Sequence, residues 1–413
     1  MSRARFLATL AAQVPWTAVQ LLAESALLAS VAKRRARAGE HPWGVRHERI
    51  GPGWLTGVLR SGGALSDDAE VEAVALQRFG EVGQMSAVFR IQPTYRQGVT
   101  GPQQLVLKCT AAEMKNRVLN ATFGVFDTEI RSYQLPQPAN GLLRPRCWYA
   151  AQHPLTKSSM LVLDDLSALR GVPENTKLSS RDALRVAIAV AQHHAHWWQP
   201  AGKQNASLQK MGFKTTVDNT RDTLGPMCSM AWGKARKVMA PLVDADIVEL
   251  LGNYVAHQDV LAQRMMAGAT TLIHGDLNTN NLFFDDAGNR VCAIDWQSTH
   301  TGHWAEDLAY ISQMCLSEED IAAHEEAIIA AHQRVLAEQG VAIDAAQHRA
   351  EYALGLFKVG AMLIMAALII DPAKDPALYE RYKESISIWA AGARRHQLAT
   401  ILAAVVADSR TGR

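Results

Sequence analysis

The sequence predicts an α+β protein of two lobes, a small β-rich one followed by a larger, mainly helical one. Short β-prone runs such as "SAVFRIQP", "QQLVLKCT" and "SSMLVLDDLS" crowd residues 70 to 163. From Ser179 onward, apolar residues recur instead at helical spacing. A single polar, strand-like island, "LIHGDLNTNNLFF" at Leu272 to Phe284, interrupts that helical half. With 413 residues, 48% of them apolar, the chain is long enough for two lobes with a substantial core.

Residues 1–45 read as an amphipathic helix and entry segment. Leu7, Leu10, Val14, Ala18, Leu21 and Leu28 share a helical face, but Gln13, Gln20 and Glu24 break the run. A spanning helix needs about 20 nearly uninterrupted apolar residues. The basic cluster Lys33, Arg34, Arg35 and Arg37 suits an interfacial helix on anionic lipid, or the solvated end of a helix packed on the protein. Both readings stand, so the expectation is a cytoplasmic chain with peripheral membrane contact left open. The polar breaks argue against a signal peptide.

Residues 46–165 form the β-rich lobe. An irregular stretch rich in Gly, Pro and Trp comes first, and "TYRQGVTGP" suits a hairpin connection between two strands. "FDTEIRSYQLP" has Phe126, Ile130 and Tyr133 on one helical side and ends at a proline. "SSMLVLDDLS" is of buried-strand type and stops in acids. Residues 166–413 form the helical lobe. "SRDALRVAIAVAQHHAHWW" opens with a Ser or Asp cap signal. Residues 199 to 230 are weakly periodic and suit an insertion or lid, and "LFKVGAMLIMAALII" reads as a core helix. A ligand would sit in the crevice between the lobes.

Composition removes several function classes. The formal net charge is +2 with both signs interspersed, which argues against nucleic acid as a partner. Cys109, Cys147, Cys228, Cys292 and Cys315 lie far apart without a CxxC pair, as expected of reduced thiols and not of a disulfide framework or zinc knuckle. The groups His193, His194, His196 and His300, His303 lack companion carboxylates or cysteines at zinc spacing.

The polar island carries the chemistry. Asp276 and Asn281 stand five apart, and "CAIDWQ" follows with Asp295. Between them "LFF", "DDAGN" and "RVCAI" read as strand, tight turn and returning strand, a hairpin that returns Asp295 to Asn281. An acid and an amide carbonyl are the hard oxygen donors that Mg²⁺ prefers, which leaves Asp276 to face a substrate hydroxyl. Phosphoryl transfer needs both parts. The plain alternative is a polar loop of turn and capping residues.

"HGDLNTNN" followed by "IDW" resembles the catalytic loop and metal-binding segment of the aminoglycoside phosphotransferase and choline kinase superfamily. The likeness is greatest to its ecdysteroid kinase-like branch, over roughly residues 70 to 400. The resemblance implies a protein-kinase-like two-lobed fold, ATP and Mg²⁺ as cofactors, and a small-molecule alcohol as substrate. It implies Asp276 as catalytic base, Asn281 and Asp295 as Mg²⁺ ligands, and His274 and Asp307 as supports of the catalytic loop. In the small lobe it implies Lys108 on the nucleotide phosphates, Glu129 as its partner, and backbone around Asp164, Asp165 and Leu166 on adenine. Gly83, Gln84, Met85 and Ser86 are the candidates for the phosphate turn. They depart from the protein-kinase G-x-G-x-x-G, and taken alone such a turn is an ordinary one.

Other departures shape the acceptor. The loop reads His-Gly-Asp where many protein kinases have His-Arg-Asp, and "HWAEDLAYIS" starts a helix soon after Asp295. No room is left for the platform a protein substrate needs. Asn278, His300, His303 and Trp304 are candidates for the acceptor pocket. Trp197, Trp198, Trp232, Trp304, Trp389 and the Met-rich helix near residues 355 to 370 lean toward a hydrophobic or steroid-like alcohol, though such stripes are commonly core. An aminoglycoside- or choline-type acceptor is the alternative, and a catalytically silent nucleotide-binding scaffold or a metallophosphoesterase are rivals of other classes.

Overall fold

The computed structural model describes Thr17 and residues 50–411 apart from 80–85, 112, 114–116, 119–123 and 153–156. The helix expected over 1–45, Thr17 excepted, and the turn at Gly83, Gln84 and Met85 lie outside the described residues. Two compact units result, one of residues 50–136 and 144–168, the other of Gln137–Leu143 and 169–411. The α+β class holds, with the larger sheet in the first unit and most helices in the second.

In the first unit, helix α1 (Pro52–Ser61) starts with a proline, where a missing N–H costs nothing. It packs on an antiparallel sheet built from β1 (Val71–Phe79), β2 (Ser86–Tyr95), β3 (Leu105–Thr110), and two strands later in the chain. Helix α2 (Val125–Gln134) and the two-residue β4 (Leu142–Leu143) come before those strands, β5 (Cys147–Gln152) and β6 (Ser159–Asp164). The spatial order is β1-β2-β3-β6-β5. Strand alternation divides the faces. Leu105, Leu107 and Cys109 join Leu55, Leu59, Phe89 and Ile91 in the core under α1. Val106 turns the other way, toward Ile130 of α2 with Leu161 and Leu163 of β6.

The sequence boundary at residue 165 needs one correction, because Gln137–Leu143 belongs to the second unit. The reason is a pairing between residues distant in sequence: β4 runs parallel to β10 (Arg290–Ala293), with Val291 opposite Leu142. β10 pairs with β9 (Leu282–Asp285), and β9 with β7 (Arg170–Gly171), to give a four-stranded sheet β4-β10-β9-β7. β8 (Thr270–Ile273) pairs separately with β11 (His300–His303).

Helices account for the rest of the second unit. They are α3 (Ser180–Trp197), α4 (Gly225–Met239), α5 (Ala245–Ala267), α6 (Ala305–Cys315), α7 (Glu318–Glu338), α8 (Ala345–Ala366), α9 (Pro376–Arg395) and α10 (Leu398–Thr411). Ser179 caps α3 by accepting the Asp182 N–H. The stretch read as an insertion or lid is largely helical. It holds helices at Ala206–Lys210 and Thr216–Asn219 and a π turn at Thr220–Leu224 that runs into α4. Side-chain caps at Asn205 and Thr215 cut it into pieces too short to show a period. Among the described residues, no helix is long and apolar enough to cross a membrane.

Candidate active site

The first unit holds the lysine and glutamate. Lys108 lies on the α2 face of β3, and its Nζ reaches Glu129 Oε1 at 2.8 Å. Glu129 is fully buried on α2, and only 13% of the Lys108 side chain is exposed. A carboxylate buried this deeply needs a cation or donors beside it, and Lys108 supplies the charge.

The other predicted nucleotide contacts are arranged unevenly. Ser86 opens β2 opposite Thr110. The Asp164 N–H is already donated to the Arg146 carbonyl at 2.9 Å, so that group is not open to an adenine ring. Its carboxylate accepts from Trp148 Nε1 at 2.6 Å. Asp165 accepts from Arg90 at 2.7 Å and from the Ser167 N–H at 2.7 Å. These acid side chains therefore brace the end of β6. Leu166, which follows them, is half-buried.

In the second unit the island folds as the hairpin reading expects. Leu282 pairs with Ala293, and the Ile294 N–H donates to the Asn281 carbonyl at 3.0 Å. The register thus places Asp295 one residue beyond a bonded neighbour of Asn281. Asp295 takes the left-handed conformation, with φ 64°, uncommon for a residue with a side chain. Gln297 Nε2 donates to its Oδ2 at 3.2 Å.

The turn before it is tied at every residue. Both oxygens of Asp307 accept backbone N–H groups at 2.8 Å, one from His274 and one from Gly275. His274 Nε2 lies 3.0 Å from the Ile294 carbonyl, which can only accept, so Nε2 carries the proton and Nδ1 accepts the Asp276 N–H at 3.2 Å. Gly275 sits at φ 81°, and a Cβ there would stand 2.6 Å from the Ser298 carbonyl oxygen. Only glycine fits on both counts.

Asp276 is half-buried and its Oδ1 is engaged twice, by Asn278 Nδ2 and by the Tyr310 hydroxyl, each at 3.1 Å. Asn281 donates Nδ2 to the Asp276 carbonyl at 2.9 Å, so the group it has left to offer is the amide oxygen. That oxygen and the Asp295 carboxylate are hard donors suited to Mg²⁺, which keeps waters and phosphate oxygens for its other positions. Among the described residues, no group of three or more His, Cys, Asp or Glu side chains is placed to hold a metal ion.

Asp307 is 1% exposed on α6 and also faces His194 Nε2 at 3.3 Å. Burial pushes its pKa up, but the hydrogen bonds from the His194 ring and the Gly275 N–H outweigh burial and hold it at about 2. It is a carboxylate throughout the physiological range.

Three acceptor candidates are corrected. His300, His303 and Trp304 are at most 1% exposed. His300 faces Glu306 at 3.3 Å, His303 faces Glu351 at 3.4 Å, and the Trp304 ring stacks on His348 at 4.0 Å. They are core, because the strand β11 and the start of α6 are covered on all sides. Trp197 and Trp389 are buried too, as is most of α8, so these residues give a lipophilic acceptor no support. Asn278 stays half-exposed beside Asp276. Tyr310 escaped the sequence reading. Its one signal is a position three residues after Asp307 on the same helix, which puts both on the face that meets the loop.

A profile of the ecdysteroid kinase-like family matches residues 83–343. No protein of curated function matches the sequence. The structure is similar to the GDP complex of wild-type aminoglycoside 2′-phosphotransferase-IIIa, at 14% identity and a TM-score of 0.44 over 82% of this chain and 98% of that one. It is similar to a choline kinase from Cryptosporidium parvum Iowa II, at 10% identity and a TM-score of 0.48 over 85% and 97% of the two chains. A microcompartment-associated aminopropanol kinase compares at 14% identity and 0.45, over 84% and 98%. Likenesses of this degree carry no argument about nucleotide, metal or acceptor.

Proposed function

The chain belongs to the ecdysteroid kinase-like family and is a small-molecule kinase, and on that premise we propose that it transfers the terminal phosphate of ATP, with Mg²⁺, to a hydroxyl group. The observation that carries this reading is the state of Asp276. Tyr310 and Asn278 both hold Oδ1, and Oδ2 has no hydrogen-bond partner among the described residues. That oxygen is the base.

In the step, the acceptor hydroxyl gives its proton to Asp276 Oδ2 while its oxygen bonds to the γ-phosphorus. The bond from that phosphorus to the bridging oxygen breaks, and its electron pair leaves with ADP. Lys108, kept extended by Glu129, neutralises phosphate charge. Asn281 and Asp295 would hold Mg²⁺, which when bound offsets charge on the phosphate oxygens. For the acceptor, we favour a hydrophobic or steroid-like alcohol over an aminoglycoside- or choline-type one. Family membership supports that preference; the buried Trp197, Trp304 and Trp389 do not.

The test is a mass-spectrometric screen for ATP-dependent gain of a phosphate on steroid and terpenoid alcohols, aminoglycosides and choline-like compounds, beside Asp276→Ala. Transfer lost in the variant is the expected result. Nucleotide binding without transfer to any acceptor would leave the silent scaffold. Phosphate release from monoesters without ATP would point to a phosphoesterase.

A further inference from the structure

Behind Asp307 lies a row of buried imidazoles that the reaction does not use. His194 on α3 faces Asp307 through Nε2 at 3.3 Å, and its Nδ1 lies 3.0 Å from His332 Nε2 on α7. His332 Nδ1 lies 2.9 Å from His348 Nε2 on α8. All three rings are 0% exposed, and His348 Nδ1 has no hydrogen-bond partner among the described residues. Trp304 stacks on the rings of His332 and His348 at 5.1 and 4.0 Å.

With each ring neutral, the carboxylate fixes the direction of this row. A carboxylate only accepts, so His194 Nε2 donates to Asp307 and, in a neutral ring, Nδ1 accepts. His332 must then donate from Nε2 and accept at Nδ1, and His348 must donate from Nε2. A doubly protonated His332 would satisfy the same two contacts, but it would bury a cation that meets no carboxylate of its own. Burial, then His194 and His348, push its pKa well below the usual imidazole value, in agreement. Burial, only partly opposed by Glu351, takes His348 down to about 4.

We propose that His194, His332 and His348 form a one-way hydrogen-bonded array that aims and holds the Asp307 carboxylate, making His332 and His348 positioning residues for the His274–Asp276 turn. That this turn is catalytic rests on the kinase reading; the array and its hold on the turn do not. The array ties α3, α6, α7 and α8 to one carboxylate whose two oxygens both serve the turn. Fixed dipoles aimed at Asp307 leave it one orientation, so errors in the position of Asp276 are small.

The experiment uses ¹⁵N-histidine labelling of the full chain and two substitutions. The wild type should show His194, His332 and His348 as neutral Nε2–H tautomers at neutral pH. His332→Phe should speed hydrogen exchange of the His274 and Gly275 amides roughly tenfold without a matching change in the β9–β10 hairpin. Uncoupled ATP hydrolysis should fall about tenfold in kcat at unchanged KM for ATP, the size usual for loss of a supporting partner. His332→Gln, whose amide offers both N–H donors and an acceptor oxygen, should restore both. A His332 that is Nδ1–H or charged in the wild type overturns the proposal, as does His332→Phe with wild-type amide exchange. If His332→Phe does not fold, the wild-type tautomers and the amide exchange of His332→Gln decide in the same way. Absence of ATP hydrolysis in the wild type would instead count against the kinase reading, leaving tautomers and exchange to judge the array.

Discussion

The Lys108–Glu129 pair and the His274–Asp276 turn bring charged groups to their positions by opposite means. Lys108 is placed by strand alternation and held by a direct ion pair to a buried carboxylate. The turn is held by many neutral and charge-assisted bonds that converge from β9–β10, α6 and, through His194, α3. The difference teaches where each is vulnerable. A pair fails when either charge goes, whereas a web fails in proportion to how central the lost strand is. The Asp276 side chain sits at the working end of the web and carries load only through Oδ1, while its backbone is tied to His274 and Asn281.

That distinction ranks the outcomes. Asp276→Asn should remove the base and leave the web intact, lowering ATP-dependent transfer by about 10² to 10⁴ at unchanged thermal midpoint. A midpoint that drops as well would mean Asp276 is structural and would erase the contrast. Lys108→Met takes a positive partner from a carboxylate with 1% exposure and should cost about 3 kcal/mol in urea denaturation, with weaker nucleotide binding. Glu129→Gln keeps an acceptor oxygen for Lys108 and should cost about 1 kcal/mol. Equal costs for the two would show that the pair is not governed by the buried charge.

Much of this was legible in the sequence, for physical reasons that also mark its limits. The hairpin returning Asp295 to Asn281 could be read because a turn between two apolar runs fixes register locally. Alternation put Lys108 on the face of Val106, but its pairing with Glu129 followed only from the family resemblance. Contacts set by tertiary packing were out of reach. β4 joins β10 across more than a hundred residues, and two apolar residues carry no mark of a partner so far away. Tyr310, His332 and His348 lie on apolar helix faces, where a lone polar ring looks like any core residue. His300, His303 and Trp304 misled in the other direction. Nearness in sequence to Asp295 suggested a pocket, but β11 pairs with β8 inside the unit and buries them.

Asp307 tests the web at its centre. Its pKa is lowered from 3.8 to about 2, so it contributes stability that is fully present above pH 3.8 and is lost as pH falls toward 2. The contribution is on the order of 2 kcal/mol at neutral pH. Asp307→Asn should therefore lower the urea midpoint at pH 7 and flatten the acid limb of the stability curve between pH 4 and 2, and an acid limb unchanged by the substitution would break the argument.

The smallest effect is expected at the edge of the web. The Tyr310 hydroxyl gives one hydrogen bond to Asp276 Oδ1, and Asn278 gives another to the same atom. Burial first, then the charge of Asp276, raise the phenol pKa far above the physiological range, so Tyr310 is a permanent donor and never a competing base. Tyr310→Phe keeps the ring packed and removes only that donor. Asn278 then holds Oδ1 alone, and the carboxylate gains freedom to rotate its two oxygens. A bond to a charged acceptor contributes about 1.5 kcal/mol, which corresponds to roughly a tenfold loss in kcat with KM for ATP unchanged. Adding Asn278→Ala should lower kcat by more than the product of the two single losses, because the second removal leaves Oδ1 with no donor. Two losses that simply multiply would mean that Tyr310 and Asn278 act on Asp276 independently, and that Oδ2, the oxygen assigned to the acceptor proton, is not selected by what holds Oδ1.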